Sequence, residues 1–210
     1  MLRPVSILLA FFFLAPTLSA AELVEGRDYS TLKPALPTSD PTKIEVLEFF
    51  AWPCSHCYEL HPFMQQWSQK VPADVNFVKA AVSAGFPTWV PAAQAYYAFE
   101  ITGDAQRLDT VFFKAIHEQR ANLFTEASIL DWAAKQGVDR AKAAAALKSM
   151  SVDTKSRQAE ANARAARIEG TPAIIVDGKY KLVGAASKSY ADWIPLLDLL
   201  IAKARADRKK

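Results

Sequence analysis

The chain contains two cysteines, Cys54 and Cys57, separated by two residues in the segment WPCSHC at residues 52–57. A disulfide stabilises a fold mainly by closing a long loop of the unfolded chain, and a pair this close closes a very short one. Two thiols at this spacing suit either disulfide exchange or part of a metal site. The pair therefore indicates redox chemistry or metal binding rather than a structural crosslink.

A metal site around the cysteines would need help from the three histidines, His56, His61 and His117. A structural zinc site takes four ligands at compatible spacing, but the sequence has neither a second Cys-x-x-Cys segment nor a paired-histidine motif. His61 alone is more typical of an exposed helix residue than of a ligand. We predict no metal site and no other bound cofactor, so the dithiol is the expected reactive group.

Residues 1–21 have the pattern of a secretory signal peptide, which leaves residues 22–210 as the expected mature protein. Arg3 precedes an apolar run that ends near Leu18, and the small residues Ser19 and Ala21 fit a cleavage site, although cleavage after Ala20 also stays open. The run is shorter than the roughly 20 residues of a membrane-spanning helix. We expect a periplasmic protein, and an oxidising compartment favours redox chemistry at an isolated cysteine pair.

The composition favours a globular domain without a nucleic-acid partner. Hydrophobic residues make up 51% of the 210 residues, which suits one domain or one domain with a large insertion. The 25 basic and 22 acidic residues are spread along the chain, with no long block of like charge.

The cysteine pair lies at a predicted junction between a strand and a helix. Residues Ile44 to Phe50 are mostly apolar and rich in β-forming types, which predicts a central buried strand. Pro53 ends this strand, and Cys54 to Lys70 is a predicted helix. Cys54 would then lie at the helix N-terminus, where free backbone N–H groups and the helix dipole favour a thiolate.

An Ala-rich helical block at about residues 88–168 has the character of an insertion, with Thr125 and Asp139 as N-caps inside it. Strand patterns flank the block, and Asp177-Gly178 is a strong hairpin signal. This order of elements beside a Cys-x-x-Cys segment predicts an α/β thioredoxin fold with an inserted α-helical domain. The other expected elements are an extended arm at Glu22–Pro41, strands at Asp74–Val82, Ala173–Val176 and Tyr180–Val183, and a final helix at Ser187–Lys203.

The two thiols have different predicted roles. Cys54 is the expected nucleophile, and His56, as a cation or N–H donor, can stabilise its thiolate. Cys57, one turn deeper in the helix, is the expected resolving thiol. Glu48 is either buried below the cysteines, where it can exchange a proton with Cys57, or exposed on a partly wet strand face, and periodicity leaves both open.

Thr171 and Pro172 form a second candidate element at the start of a predicted strand. Because proline cannot donate to a β-ladder, Pro172 either simply ends the insertion or forms a cis bond held against the cysteine pair. In the second arrangement the Thr171 backbone can pair with an extended substrate as an added strand. The Cys-x-x-Cys segment favours the cis arrangement.

The sequence resembles the periplasmic DsbA family in two motifs. The first joins EFF at residues 48–50 to CSHCY at 54–58, and the second joins GTPA at 170–173 to VDGKY at 176–180. The resemblance implies a thioredoxin fold with a helical insertion, dithiol oxidase activity and reoxidation by a DsbB-like quinone-linked membrane partner. The implied roles are attacking sulfur for Cys54, resolving thiol for Cys57, thiolate stabiliser for His56, buried carboxyl for Glu48 and cis-proline for Pro172.

The predicted function is a monomeric oxidase that passes a disulfide to reduced, unfolded exported proteins through a mixed disulfide at Cys54. Two departures from common family patterns, Ser55 instead of proline and Thr171 instead of valine, leave the balance between oxidase and isomerase open. An isomerase or reductase is the first alternative, although such exported enzymes usually need a dimerisation segment, for which the arm at residues 22–41 is short. A metal-binding chaperone is the second alternative.

Overall fold

A computed structural model describes residues 23–185 and 187–209, so the signal peptide predicted at residues 1–21 lies outside the described residues. Within these residues the chain forms a five-stranded mixed sheet and seven α-helices. No helix among them is long and apolar enough to cross a membrane.

The sheet has the strand order β1-β5-β4-β2-β3. Strand β2 runs parallel to β3 and antiparallel to β4, and all of its residues are buried, which confirms the predicted interior strand. The strands are β1 (Tyr29–Thr31), β2 (Ile44–Phe50), β3 (Val75–Ala81), β4 (Ala173–Val176) and β5 (Tyr180–Leu182).

Five consecutive helices between β3 and β4 form the inserted helical domain, which confirms the predicted fold class. Thr125 and Asp139 cap two of these helices as predicted, because their side chains accept the N–H groups of Ser128 and Lys142. The helices are α1 (Ser55–Ser68), α2 (Val90–Thr102), α3 (Ala105–His117), α4 (Glu126–Lys135), α5 (Arg140–Leu147), α6 (Met150–Ala165) and α7 (Trp193–Asp207).

Two apolar clusters hold the sheet between helices. One cluster packs Leu60 of α1 and Leu200 of α7 against the strands. The other joins the end of β2 to the helical domain, where the Trp52 ring stacks on Phe112 of α3 with centroids 3.9 Å apart. The residue two positions before Cys54 is therefore part of the junction between the two parts of the molecule.

The predicted extended arm contains one element that the sequence did not indicate, because its residues Tyr29–Thr31 form an edge strand antiparallel to β5. The arm also packs against the β4–β5 hairpin, where Asp177 and Gly178 both have positive φ, at 56° and 64°, and confirm the predicted turn. A side chain at Gly178 would collide with the carbonyl of Leu36 in the arm. The close approach of two backbones therefore requires glycine here.

The final helix begins later than predicted. A 3-10 turn at Tyr190–Asp192 precedes α7, which starts at Trp193 rather than near Ser187. The Asp192 carboxylate accepts the N–H groups of Lys188 and Ser189, at 2.7 and 2.9 Å. These bonds hold residues 188–189 in a non-helical turn, since the N-cap residue of a helix has extended rather than helical dihedral angles.

Candidate active site

The two thiols lie at the N-terminus of α1, Cys54 just before the first turn and Cys57 within it, and both are free in this structure. Cys54 is the N-cap of the helix and has the extended dihedral angles that are typical of this position. Cys54 has 7% of its surface exposed, whereas Cys57 has none. Because the helix N-terminus presents unpaired N–H groups, the outer sulfur is the one next to a positive electrostatic potential.

The surroundings of Cys54 favour its thiolate. A hydrogen bond with the Cys57 thiol is the main cause that lowers the pKa of Cys54, and the Thr171 side chain adds a smaller effect. The backbone N–H groups of Cys57 and His56 also favour the anion, although neither makes a full capping bond to the sulfur. Burial opposes these effects, but together they bring the pKa from 9.0 to about 5. Cys54 is therefore a thiolate at neutral pH.

The surroundings of Cys57 favour its protonated thiol instead. Burial raises the pKa of this thiol well above 9.0, and its hydrogen bond to Cys54 and the negative charge of Cys54 raise it further. Contacts with the Ala51 backbone and the Thr171 side chain lower it by less. In the reduced protein the pair therefore holds one proton, and Cys57 carries it.

The Thr171–Pro172 bond is cis, as predicted, and the preceding residue contacts the reactive sulfur. Cys54 Sγ lies 3.2 Å from the Thr171 carbonyl oxygen, to which it donates when it is protonated. β4 begins immediately afterwards at Ala173 and pairs with Phe49 of β2. Because β2 also leads into the Cys54 turn, this register brings two segments 117 residues apart to the same point.

The His56 imidazole is directed toward solvent and Glu59, whereas we expected it to contact the Cys54 sulfur. Its imidazole is 65% exposed and faces Glu59, with Nδ1 3.5 Å from Oε2, and its ring centroid is 6.3 Å from that of Tyr190. Its backbone N–H, rather than its ring, is the group that favours the Cys54 thiolate. A stabilising role for the imidazole stays a prediction.

Glu48 is buried, with 2% of its surface exposed, which settles its location in favour of the interior. It lines a cavity of about 500 Å³ between the sheet, α1 and the helical domain. Burial is the main cause that raises its pKa to about 7; nearby Lys79 lowers it and Asp109 raises it. Near neutral pH this carboxyl can both give and take a proton.

Sequence reasoning missed the residues of α3 that contact the cysteine segment. Asp109 accepts the Trp52 indole N–H at 2.8 Å, and His117 Nε2 donates to the Trp52 carbonyl at 2.8 Å. With Phe113, these residues are spaced by four positions and share one helix face, which is the signal that a reader of the sequence could have used.

The expectation that His61 is exposed is wrong. His61 is buried on α1, with Nε2 2.8 Å from Thr110 Oγ1, and burial lowers its pKa to about 4. Among the described residues, no group of three or more His, Cys, Asp or Glu side chains could hold a metal ion.

The fold and the paired thiols define a thioredoxin-fold dithiol oxidoreductase with a helical insertion. The sequence model of the DSBA-like thioredoxin domain matches residues 59–189, beginning just after Cys57. The thiol:disulfide interchange protein DsbA of Bordetella parapertussis is 38% identical over 189 residues, 89% of this chain and 88% of that protein. DsbA of Pseudomonas aeruginosa PAO1 is 33% identical over 191 residues, 91% of this chain and 90% of the relative.

Solved structures give the same result. The crystal structure of Pseudomonas aeruginosa DsbA superposes with a TM-score of 0.83 at 33% identity, covering 88% of this chain and 96% of that one. DsbA from Xylella fastidiosa gives 0.80 at 30% identity over 88% and 98% of the two chains. The chain belongs to the DsbA family and is a protein thiol:disulfide oxidoreductase. Such an enzyme acts on substrate proteins and exchanges electrons with a redox partner.

Proposed function

We propose that the protein is a periplasmic dithiol oxidase that introduces disulfides into reduced, unfolded exported proteins. The observation that carries the proposal is the opposite acidity of the two thiols, with the pKa of Cys54 lowered to about 5 and that of buried Cys57 raised. A thiol that is stable as a thiolate is a good leaving group, and a dithiol with a stabilised reduced form is a strong oxidant. DsbA is itself the standard example of this relation.

The reaction begins when a substrate thiolate attacks Cys54 in the Cys54–Cys57 disulfide. A substrate–Cys54 disulfide forms, Cys57 leaves as a thiolate, and it takes a proton from the Glu48 carboxyl. A second substrate thiolate then attacks the substrate sulfur of the mixed disulfide and releases the Cys54 thiolate. The substrate loses two electrons and gains a disulfide, while the enzyme becomes a dithiol.

The remaining site residues would bind and orient the substrate. Thr171 and the cis Pro172 would support an extended substrate next to Cys54, and the contact of 3.2 Å between Cys54 Sγ and the Thr171 carbonyl supports that role. The His56 imidazole is the proposed second stabiliser of the thiolate. The helical insertion, at about residues 88–168, would cover the substrate from the other side.

Reoxidation requires an electron acceptor, which we propose is a DsbB-like quinone-linked membrane oxidase. The Cys54 thiolate would attack a disulfide of that partner, and Glu48 would take the proton of Cys57 as Cys57 resolves the mixed disulfide. We further propose that residues 1–21 are a cleaved signal peptide and that residues 22–210 act as a monomer. The apolar run at the N-terminus and the small residues after it support export.

The test uses variants that retain one thiol each, expressed with the native leader. Cys57→Ser should accumulate mixed disulfides with exported proteins, visible on non-reducing gels, and Cys54→Ser should accumulate none. In vitro, the oxidised wild type should convert one equivalent of a dithiol peptide to its disulfide. A peptide that stays reduced, or trapping by Cys54→Ser alone, would contradict the proposal.

A further inference from the structure

Glu48 and Lys79 are direct neighbours on the parallel strands β2 and β3, yet they do not pair. Lys79 Nζ instead donates to Asp109 Oδ2 of α3 at 2.5 Å and lies over the Phe50 ring, 3.9 Å from its centroid. Among the described residues, Glu48 has no hydrogen-bond or ion-pair partner. Glu48 is therefore buried next to Lys79, but the ammonium group of Lys79 is bound to Asp109.

Asp109 is held in place by the segment that carries the cysteines. Its Oδ1 accepts the Trp52 indole N–H at 2.8 Å, so that Oδ2 is directed at Lys79. His61 Nδ1 is 3.7 Å from the same Oδ2. The Trp52 ring also stacks on Phe112, which lies on α3 together with Asp109. The indole and the Asp109 carboxylate are therefore both held in place. The inserted domain thus supplies a positioned anion that contacts the segment carrying the cysteines.

The charges around Glu48 come from four elements. The basic side chains in the described lining of the cavity are Lys79 on β3 and His61 on α1, and burial lowers the pKa of His61 to about 4. Asp109 on α3 and, on α2, Tyr96 and Glu100 complete the titratable lining. On the β4 side, the register partner of Glu48 is the apolar Ile174. Burial is the main cause of the raised pKa of Glu48, and the Lys79 ammonium is the group whose position most opposes it.

We propose that Asp109 is a positioning residue for the redox reaction: it holds the Lys79 ammonium away from Glu48 and so leaves the Glu48 carboxyl free to exchange a proton with Cys57. Without Asp109, Lys79 would swing to its strand neighbour and form a buried ion pair, which would keep Glu48 ionised. An ionised Glu48 cannot supply the proton that the Cys57 thiolate takes when the disulfide opens. This inference rests on the proposed role of Glu48.

The test measures the pKa of Glu48 directly, by carbon-13 NMR of the glutamate carboxyls in the full protein, with Glu48→Gln to assign the signal. Asp109→Asn retains an acceptor for Trp52 but removes the charge. It should lower the pKa of Glu48 by about one pH unit or more. Asp109→Glu, which restores the charge, should return the pKa toward the wild-type value. Asp131→Asn removes an exposed carboxylate elsewhere in the helical domain and should change nothing.

The decisive comparison repeats Asp109→Asn in a Lys79→Met background. If Asp109 acts by holding Lys79, its loss should then lower the pKa of Glu48 by less than half as much. Equal shifts in both backgrounds would mean that Asp109 acts only through its own charge, and no shift in either would mean that it does not act on Glu48. Either result would overturn the inference.

A separate readout tests the role of Glu48 itself. The rate at which the oxidised protein oxidises a dithiol peptide, divided by the fraction of the peptide thiol that is ionised, should fall above the pKa of Glu48, and Asp109→Asn should move that fall to lower pH. If Glu48→Gln leaves the rate and its pH profile unchanged, the proposed proton transfer is wrong. The NMR comparison still decides whether Asp109 controls Lys79.

Discussion

The N-terminal end of α1 and the same helix one turn further in hold the same side chain in opposite states. At the outer position, a hydrogen bond with Cys57, the Thr171 side chain and nearby N–H groups outweigh burial and lower the pKa of Cys54 to about 5. At the inner position, burial dominates and raises the pKa of Cys57. Each thiol also contributes to the shift of the other, since their hydrogen bond stabilises the anion on Cys54 and the proton on Cys57.

The difference between the two positions shows that the acidity of a cysteine depends more on its place in the helix than on its residue type. A separation of three residues places Cys54 outside the first helical turn and Cys57 within it. The outer thiol therefore faces free N–H groups, whereas the inner one faces the apolar core. One helix start next to one cis-proline segment is enough to divide the roles of nucleophile and resolving thiol.

The largest expected effect is a difference in reactivity between the two thiols. In the reduced wild type at pH 7, iodoacetamide should modify Cys54 at least about a hundredfold faster than Cys57, because Cys57 is both protonated and fully buried. Peptide mapping by mass spectrometry gives the rate at each site. The Cys54 rate should have its midpoint near pH 5. Labelling of both thiols at similar rates would show that they do not differ in ionisation and accessibility.

Much of this site could be predicted from local sequence. Strand β2, the helix start at Cys54 and the Asp177-Gly178 turn are determined within a few residues, so composition and spacing indicate them. The cis bond before Pro172 was predictable only together with the cysteine pair. The short edge strand at Tyr29–Thr31 was missed because three residues give no usable periodicity.

The surroundings of Glu48 could not be predicted in the same way. Its burial depends on which elements cover the sheet. The hydrophobic periodicity of β2 could not show whether the face that carries Glu48 is covered or exposed to solvent. Asp109 and Trp52 are 57 residues apart, and their bond depends on how the inserted domain docks. His61 was misjudged for the same reason, since Thr110 of α3 covers it.

The second expected effect is on stability, compared between oxidised and reduced protein. Lowering the pKa of Cys54 from 9.0 to about 5 stabilises the reduced fold. This contribution is complete above the unfolded pKa and is lost as pH falls through the folded one. Because solvent screens a partly accessible sulfur, it amounts to at most about 4 kcal/mol at pH 8, against about 2 kcal/mol from closing the short disulfide loop. The reduced form should therefore be the more stable one at pH 8, by up to about 2 kcal/mol.

Denaturant unfolding of both forms across pH 5 to 8 measures this difference. The advantage of the reduced form should shrink to at most about 1 kcal/mol at pH 7 and reverse between about pH 6 and pH 7. Groups such as Glu48 are common to both forms, so their titration largely cancels. The doubly substituted Cys54→Ser, Cys57→Ser protein is the control and should lack this pH dependence. A reduced form that is less stable throughout would show that the Cys54 thiolate is not stabilised by the fold.

The smallest expected effect concerns Thr171, whose side chain favours the thiolate of Cys54. Thr171→Val keeps the shape of the side chain and the carbonyl contact with Cys54 but removes the hydroxyl, so the pKa of Cys54 should rise by less than about one pH unit. Thiolate absorbance at 240 nm, followed against pH, measures it, and Thr154→Val on the exposed surface of α6 is the matched control. Because a higher pKa weakens the stabilisation of the reduced form, the pH at which the two redox forms are equally stable should move upward together with it. A raised pKa without that movement would mean that the hydroxyl acts on the disulfide form as well, and an unchanged pKa would mean that Cys57 and the backbone alone hold the thiolate.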